Sequence, residues 1–201
     1  PLQEKYARLY LQACPSLAHT AKHCEEYRPP EKGIRIKVGF ISKYLMNHSI
    51  GNTSKGIIAR LSRKLFAVTV IFLSAPADET GRFIAQHADR TLVLPNQLAA
   101  ARQAIADLKL DVLFYQDTGM DPFTFFLSFS RLAPVQCTSF GHPVTTGIPN
   151  LDYYISTEFW EPEHADTHYS ERLARLRNVA SVAYYYRPPA PDPVKPRSAF
   201  G

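Results

Sequence analysis

The order of apolar segments along this 201-residue chain predicts a doubly wound, mostly parallel α/β sheet of Rossmann-like type. Three observations carry that expectation. Short β-branched and aromatic runs alternate with longer stretches of helical period. The runs are apolar on both faces, as strands buried in a parallel sheet are. The segments that follow them are rich in polar residues or glycine, the composition of ligand-binding loops at strand carboxyl ends.

Taken in order, residues 2 to 14 set Leu2, Tyr6, Leu9, Tyr10 and Ala13 at helical spacing, so the chain opens on an amphipathic helix expected to pack against something upstream. After the Pro29-Pro30 break, residues 34–41 read as a strand. The polar stretch 42–52 then leads into a short helix carrying Ile57, Ile58 and Leu61. Strands over 67–73, 91–94 and 111–115 alternate with helices over 79–88 and 97–108, the pattern of crossover connections between parallel strands. Pro122 is suited to open a helix through Arg131, residues 135–140 resume the sheet, and 151–156 add a further strand. The proline-rich stretch 184–197 resists regular structure and reads as an extended connector, with a domain boundary after it. Three regions follow: a linker helix region over 1–30, the Rossmann-like lobe over 31–183, and a connector over 184–201.

With 45% hydrophobic and 20% charged residues, the chain has enough apolar surface for one globular core. The longest apolar runs, such as Val68 to Leu73, fall far short of the roughly 20 residues of a membrane helix, so no membrane partner is expected and a cytoplasmic location is. Cys14, Cys24 and Cys137 are odd in number and form no Cys-x-x-Cys pair, which favours reduced thiols and argues against structural zinc. A formal charge of +5 suits an anionic ligand such as a nucleotide diphosphate, yet the basic residues are scattered, and no nucleic-acid partner is expected.

His48 is the leading candidate for chemistry. It follows Asn47 in the first strand-to-helix loop, where this fold meets its ligands, and an imidazole titrates near working pH. A surface or capping histidine is the competing reading. Gly51, Asn52, Thr53 and Ser54 lie near a helix start, suited to phosphate or a sugar hydroxyl, or else to ordinary N-capping. Neither a G-x-G-x-x-G fingerprint nor a P-loop occurs, which disfavours a dinucleotide dehydrogenase or an NTPase. The loop Gly141-His142-Pro143-Val144-Thr145-Thr146-Gly147 combines two glycines, two hydroxyls and a histidine held beside proline. It is compatible with binding a sugar or phosphate and equally with a structural turn. Gln116 to Asp121 ranks behind it, with Asp121 read as a helix cap and Asp117 as a residue that orients the loop. His164 and His168 are spaced i, i+4 but lack the following Glu and a third ligand, so no metal is assigned.

Lys37-Val38-Gly39-Phe40-Ile41-Ser42, Asn47-His48, Arg131 to Gln136, Gly141 to Gly147 and Asp152-Tyr153, in that order and spacing, resemble the O-linked N-acetylglucosamine transferase family, glycosyltransferase family 41. The likeness is greatest to its SPINDLY-like, tetratricopeptide-bearing bacterial members. The stretches His168 to Glu171 and Leu173 to Leu176 are similar too. The resemblance implies a GT-B fold of two Rossmann-like lobes, of which this chain covers the first, with repeats upstream and a second lobe downstream that makes most nucleotide contacts. It implies an inverting enzyme that needs no cofactor or metal and moves a sugar from a nucleotide donor, such as N-acetylglucosamine from UDP-N-acetylglucosamine, onto Ser or Thr of an acceptor protein. His48 then corresponds to the active-site histidine. Asn47, Gly51, Gly141, His142, Pro143, Thr145 and Thr146 correspond to residues facing the cleft. The carboxylate sometimes assigned as catalytic in animal members falls at Tyr44, so that role does not transfer. The lobe alone is expected to be inactive. A cytoplasmic protein N-glycosyltransferase using a UDP-hexose, or a non-catalytic α/β binding module, are the alternatives.

Overall fold

The computed structural model describes residues 2–183 and 197–200. Helix α1 spans Leu2–Ala13 and a short α2 spans Lys22–Glu25. There follow β1 (Ile36–Ser42), α3 (Ser49–Arg60), β2 (Phe66–Phe72), α4 (Glu79–Gln86), β3 (Arg90–Val93), α5 (Leu98–Ala106), β4 (Val112–Tyr115), α6 (Pro122–Leu127), β5 (Val135–Ser139), β6 (Tyr153–Thr157) and β7 (Arg172–Leu176). The strands form one sheet in the order β3-β2-β1-β4-β5-β6-β7, and every pair is parallel. This is the winding of a Rossmann sheet with a strand added at one edge, and the order reverses between β1 and β4. The connector expected over 184–201 lies outside the described residues, except for a 3-10 turn at Arg197–Phe200.

Alternation along each strand feeds two cores. Val38 and Phe40 pack with Val68, Val70 and Phe72 under Ile58 of α3 and Ile84 of α4. Ile41, Ile71, Leu113 and Tyr115 point the other way, towards Ala101 and Ile105 of α5 and Leu127 of α6. Strands buried on both faces must be apolar throughout, which is why β1 and β2 read as near-continuous apolar runs.

Helix α1 departs from expectation. It packs on the lobe itself, with Ala7 buried in the α5–α6 core and the Tyr10 ring edge-on to Phe125, Phe126 and Phe129 at 5.8, 5.3 and 6.1 Å. Its opposite face leaves Leu2, Tyr6 and Leu9 exposed. The segment after it is fastened as well, since Arg102 Nη1 donates to Ser16 O at 2.9 Å and Ala21 N to Arg131 O at 2.9 Å. Ala7, Leu17 and Ala21 therefore share the lobe's core.

Two helix boundaries also differ. Helix α3 starts at Ser49, ahead of the expected position, because His48 supplies its cap. Helix α6 stops at Leu127, short of the expected Arg131. Ser128 Oγ turns back to Phe125 O at 2.7 Å, and Arg131 N is drawn to His19 O at 2.8 Å. His164 and His168 flank and end a 3-10 helix, Ala165–His168, where i, i+3 pairs eclipse and i, i+4 pairs do not.

The start of strand β5 is locked by two polar groups, one partly buried and one fully buried. The Arg131 guanidinium forks onto both oxygens of Asp152, which also accepts Gln136 N at 2.7 Å. Gln136 is fully buried, and its amide accepts from Leu132 N at 2.8 Å and donates to Ser130 O and Asn150 O at 3.0 and 2.7 Å. Gln136→Leu fills a similar volume but strands three backbone groups away from water. It should cost about 2–4 kcal/mol, read as a lowered urea midpoint with unchanged slope. A midpoint within error of the parent chain would show that these bonds add nothing.

Candidate functional site

The carboxyl ends of β1, β4 and β5 carry three loops, over 43–48, 116–121 and 140–149, that interlock beside the point of strand-order reversal. His48 is the N-cap of α3, in extended backbone geometry, and its Nδ1 accepts from Ile50 N at 3.2 Å. Its ring stacks on Tyr44, with centroids 4.5 Å apart and planes 26° apart. A neutral imidazole whose Nδ1 accepts a backbone N–H carries its proton on Nε2. Among the described residues Nε2 has no hydrogen-bond partner, so the ring offers a donor. To take a proton it must give up its cap. Asn47 is exposed, its backbone N–H donating to Asp78 Oδ2 at 2.6 Å while Asp78 Oδ1 caps α4 through Gly81 N at 2.7 Å. One carboxylate thereby holds the His48 loop against the next helix, and those two N–H groups keep it below the usual carboxylate range.

The two cleft glycines turn their bare faces to protein. A side chain on Gly51 would collide with the backbone of Met46, and one on Gly141 with the backbone carbonyl of Gln116, with Ile50 Cδ1 at 3.0 Å. These glycines let α3 close on its own loop and let the β5 loop close on the β4 loop, so loop packing by itself accounts for them. Thr145 and Thr146 are also committed. Thr145 Oγ1 donates to Glu171 Oε2 at 2.8 Å and accepts from Ser170 N at 2.8 Å. Thr146 Oγ1 donates to Glu171 Oε1 and accepts from Ile148 N at 3.1 Å, and Thr146 N reaches Glu171 Oε1 at 2.8 Å. The one proton of each hydroxyl is thus spent on Glu171. Of that loop, His142 lies against Gly119, and Pro143 is exposed.

The sequence ranked 116–121 behind the other loops, yet this loop holds the densest unmet polarity. Gln116 Nε2, Asp117 Oδ2 and Thr118 Oγ1 are buried without a partner, three in succession at the end of β4. Gln116 Oε1 accepts from Ser54 Oγ at 2.5 Å. Asp121 caps α6 through Phe123 N and Thr124 N and pairs with Lys43 Nζ at 3.0 Å. Tyr44 Oη donates to Met120 O at 3.2 Å, which ties the loop to the ring under His48. Spacing alone flags the Asp121 cap, since proline follows it. Nothing local flags Asp117, Glu171 or the bond from Asn47 to Asp78, whose partners are remote in sequence.

Among the described residues no group of three or more His, Cys, Asp and Glu side chains is placed to hold a metal ion, and no helix is long and apolar enough to cross a membrane.

A family model described as glycosyl transferase family 41 matches residues 2–185. The protein of Solanum lycopersicum named "Probable UDP-N-acetylglucosamine--peptide N-acetylglucosaminyltransferase SPINDLY" is 42% identical over 70 residues, covering 35% of this chain and 7% of that protein. Its namesake of Arabidopsis thaliana is 27% identical over 181 residues, covering 88% of this chain and 19% of the other. In three dimensions the chain is similar to a mutant O-GlcNAc transferase of Thermobaculum terrenum, with a TM-score of 0.73 and 24% identity, over 87% of this chain and 33% of that one. The chain thus spans a small part of the length of each of these proteins.

Burial pushes the Asp117 carboxyl up to about 6, and Asp121 adds to the rise, against a hydrogen bond from Ser42 and the charge of Lys43. The unfolded chain releases that proton near pH 4. The folded chain holds it more tightly, so ionisation of Asp117 costs stability progressively between about pH 4 and 6, by about 2–3 kcal/mol, and the whole cost stands above that range. Asp117→Asn should therefore melt higher than the parent at about pH 8, with the gap closing towards pH 4. A gap that is constant with pH would assign the effect to something other than this carboxyl.

Proposed function

The chain belongs to glycosyltransferase family 41, and from that premise we propose that residues 31–183 are the first lobe of an inverting GT-B protein O-glycosyltransferase. In this reading the enzyme moves N-acetylglucosamine from UDP-N-acetylglucosamine to Ser or Thr of an acceptor protein. A second lobe faces the loops at the carboxyl ends of β1, β4 and β5 and makes most of the nucleotide contacts.

The observation that carries the reading is the placement of His48. It stands at the strand-order reversal, caps the helix that follows the first strand, and leaves Nε2 unpartnered among the described residues. A Ser or Thr hydroxyl attacking an anomeric carbon must be held in line, and a departing diphosphate must be met by donors and positive charge. The tautomer set by the cap suits His48 to the first task as a donor that orients a hydroxyl oxygen. Lys43, half-exposed at the start of the same loop, is an ammonium already paired with Asp121. Discharge of the nucleotide falls to the other lobe, so the isolated 201-residue chain binds but does not turn over in this reading.

The test is transfer to Ser- and Thr-containing peptides from a panel of UDP-sugars, followed by mass spectrometry, in a chain extended through its second lobe. His48→Ala should lower kcat by about 100-fold or more and reduce stability by only about 1 kcal/mol through the lost cap. His48→Asn keeps a capping acceptor and should restore the stability without the rate. Near-normal turnover by either variant removes His48 from the mechanism, and modification of Asn by a hexose replaces the O-transfer reading with N-transfer.

A further inference from the structure

A cavity of about 470 Å³ opens between α1, α6 and the loops over 116–121 and 140–149. That volume is in the range of small-ligand sites, roughly 300–1,000 Å³. Its wall is aromatic and aliphatic, built by Tyr10, Phe125, Phe126, Met120 and Val144. No Lys, Arg, Asp or Glu lines it, so nothing there neutralises a phosphate or pairs with a charged side chain.

Its polar equipment is sparse. Thr145 and Thr146 line the wall, but the protons of their hydroxyls are spent on Glu171. The Thr118 hydroxyl has no partner but is itself closed off from the cavity. The side chains that remain to donate are the His142 ring and the Gln3 amide. A hexose presents about four hydroxyls, each able to donate once and accept twice, and so few groups cannot satisfy it. They do suit one peptide unit, whose side chain would then meet the apolar wall. The cavity is also coupled to the cleft, because Met120 lines it and accepts from Tyr44, on which His48 stacks.

We infer that this cavity is a specificity pocket for an uncharged, apolar side chain of the acceptor polypeptide. The assignment rests on the protein-acceptor reading above and adds to it a preference for apolar residues near the modified hydroxyl.

The probes are hexapeptides with a central Ser flanked by Leu or Phe, or by Asp, titrated by calorimetry into the 201-residue chain. The apolar peptides should bind about tenfold more tightly. Val144→Trp, on an exposed rim position, fills the mouth and should remove that advantage without moving the melting temperature. Equal binding of all the peptides, indifference to Val144→Trp, or displacement of the peptide by free N-acetylglucosamine would each overturn the assignment. In the chain extended through its second lobe, transfer that ignores the flanking residues would remove the pocket and leave the transferase reading. Absence of transfer to every peptide, with Val144→Trp still abolishing apolar binding, would remove the transferase reading and leave the pocket.

Discussion

Strand β1 lies between β2 and β4 with parallel partners on both sides, and the rest of the molecule follows from that constraint. Helices α3 and α4 must cover one face and α5 and α6 the other, so the connections leaving β1 and β4 diverge and a crevice opens between their ends. Both faces of β1 are buried as a result. Gly39 stands at its centre, where Leu110 Cδ1 fills the space a side chain would take.

Behind the crevice, the loops are pinned by carboxylates that come from elsewhere in the chain. Asp78 holds the backbone of Asn47, Glu171 holds both threonines of the β5 loop, and Asp121 binds Lys43 while capping α6. Each spends its charge on backbone amides, hydroxyls or an ammonium, and leaves few groups free to meet a ligand. A cleft built this way holds its geometry before anything binds, which is the condition for positioning a reactive hydroxyl without reorganisation. The groups left unpaired among the described residues are correspondingly informative, with His48 Nε2 in one loop and Gln116 Nε2, Asp117 Oδ2 and Thr118 Oγ1 in the next.

Much of the fold is legible in the sequence because strand and helix periods are local. The apolar runs of β1, β2 and β4, and Asp121 before Pro122, state their roles within a few residues. The parallel sheet follows from their alternation. The candidate histidine is legible for the same reason, since a polar loop after the first strand of such a sheet is where ligands meet it. Its capping bond was one of two readings the sequence left open. The bond to Ile50 N joins that reading to the functional one, because the cap sets which nitrogen carries the proton.

What the sequence could not decide depends on partners far apart along the chain. Gly51, Gly141, Thr145 and Thr146 have the composition of a ligand loop, and only the fold shows Met46, Gln116 and Glu171 already occupying them. The buried carboxyl of Asp117, and the packing of α1 on Phe125 and Phe126, were equally hidden. The chain by itself determined the sheet, its winding class and the loop that holds His48, because these rest on short-range pattern. Tertiary structure alone decided which polar groups remain free, because a hydrogen-bonding group is spent or unspent only by what folding brings within about 3 Å of it.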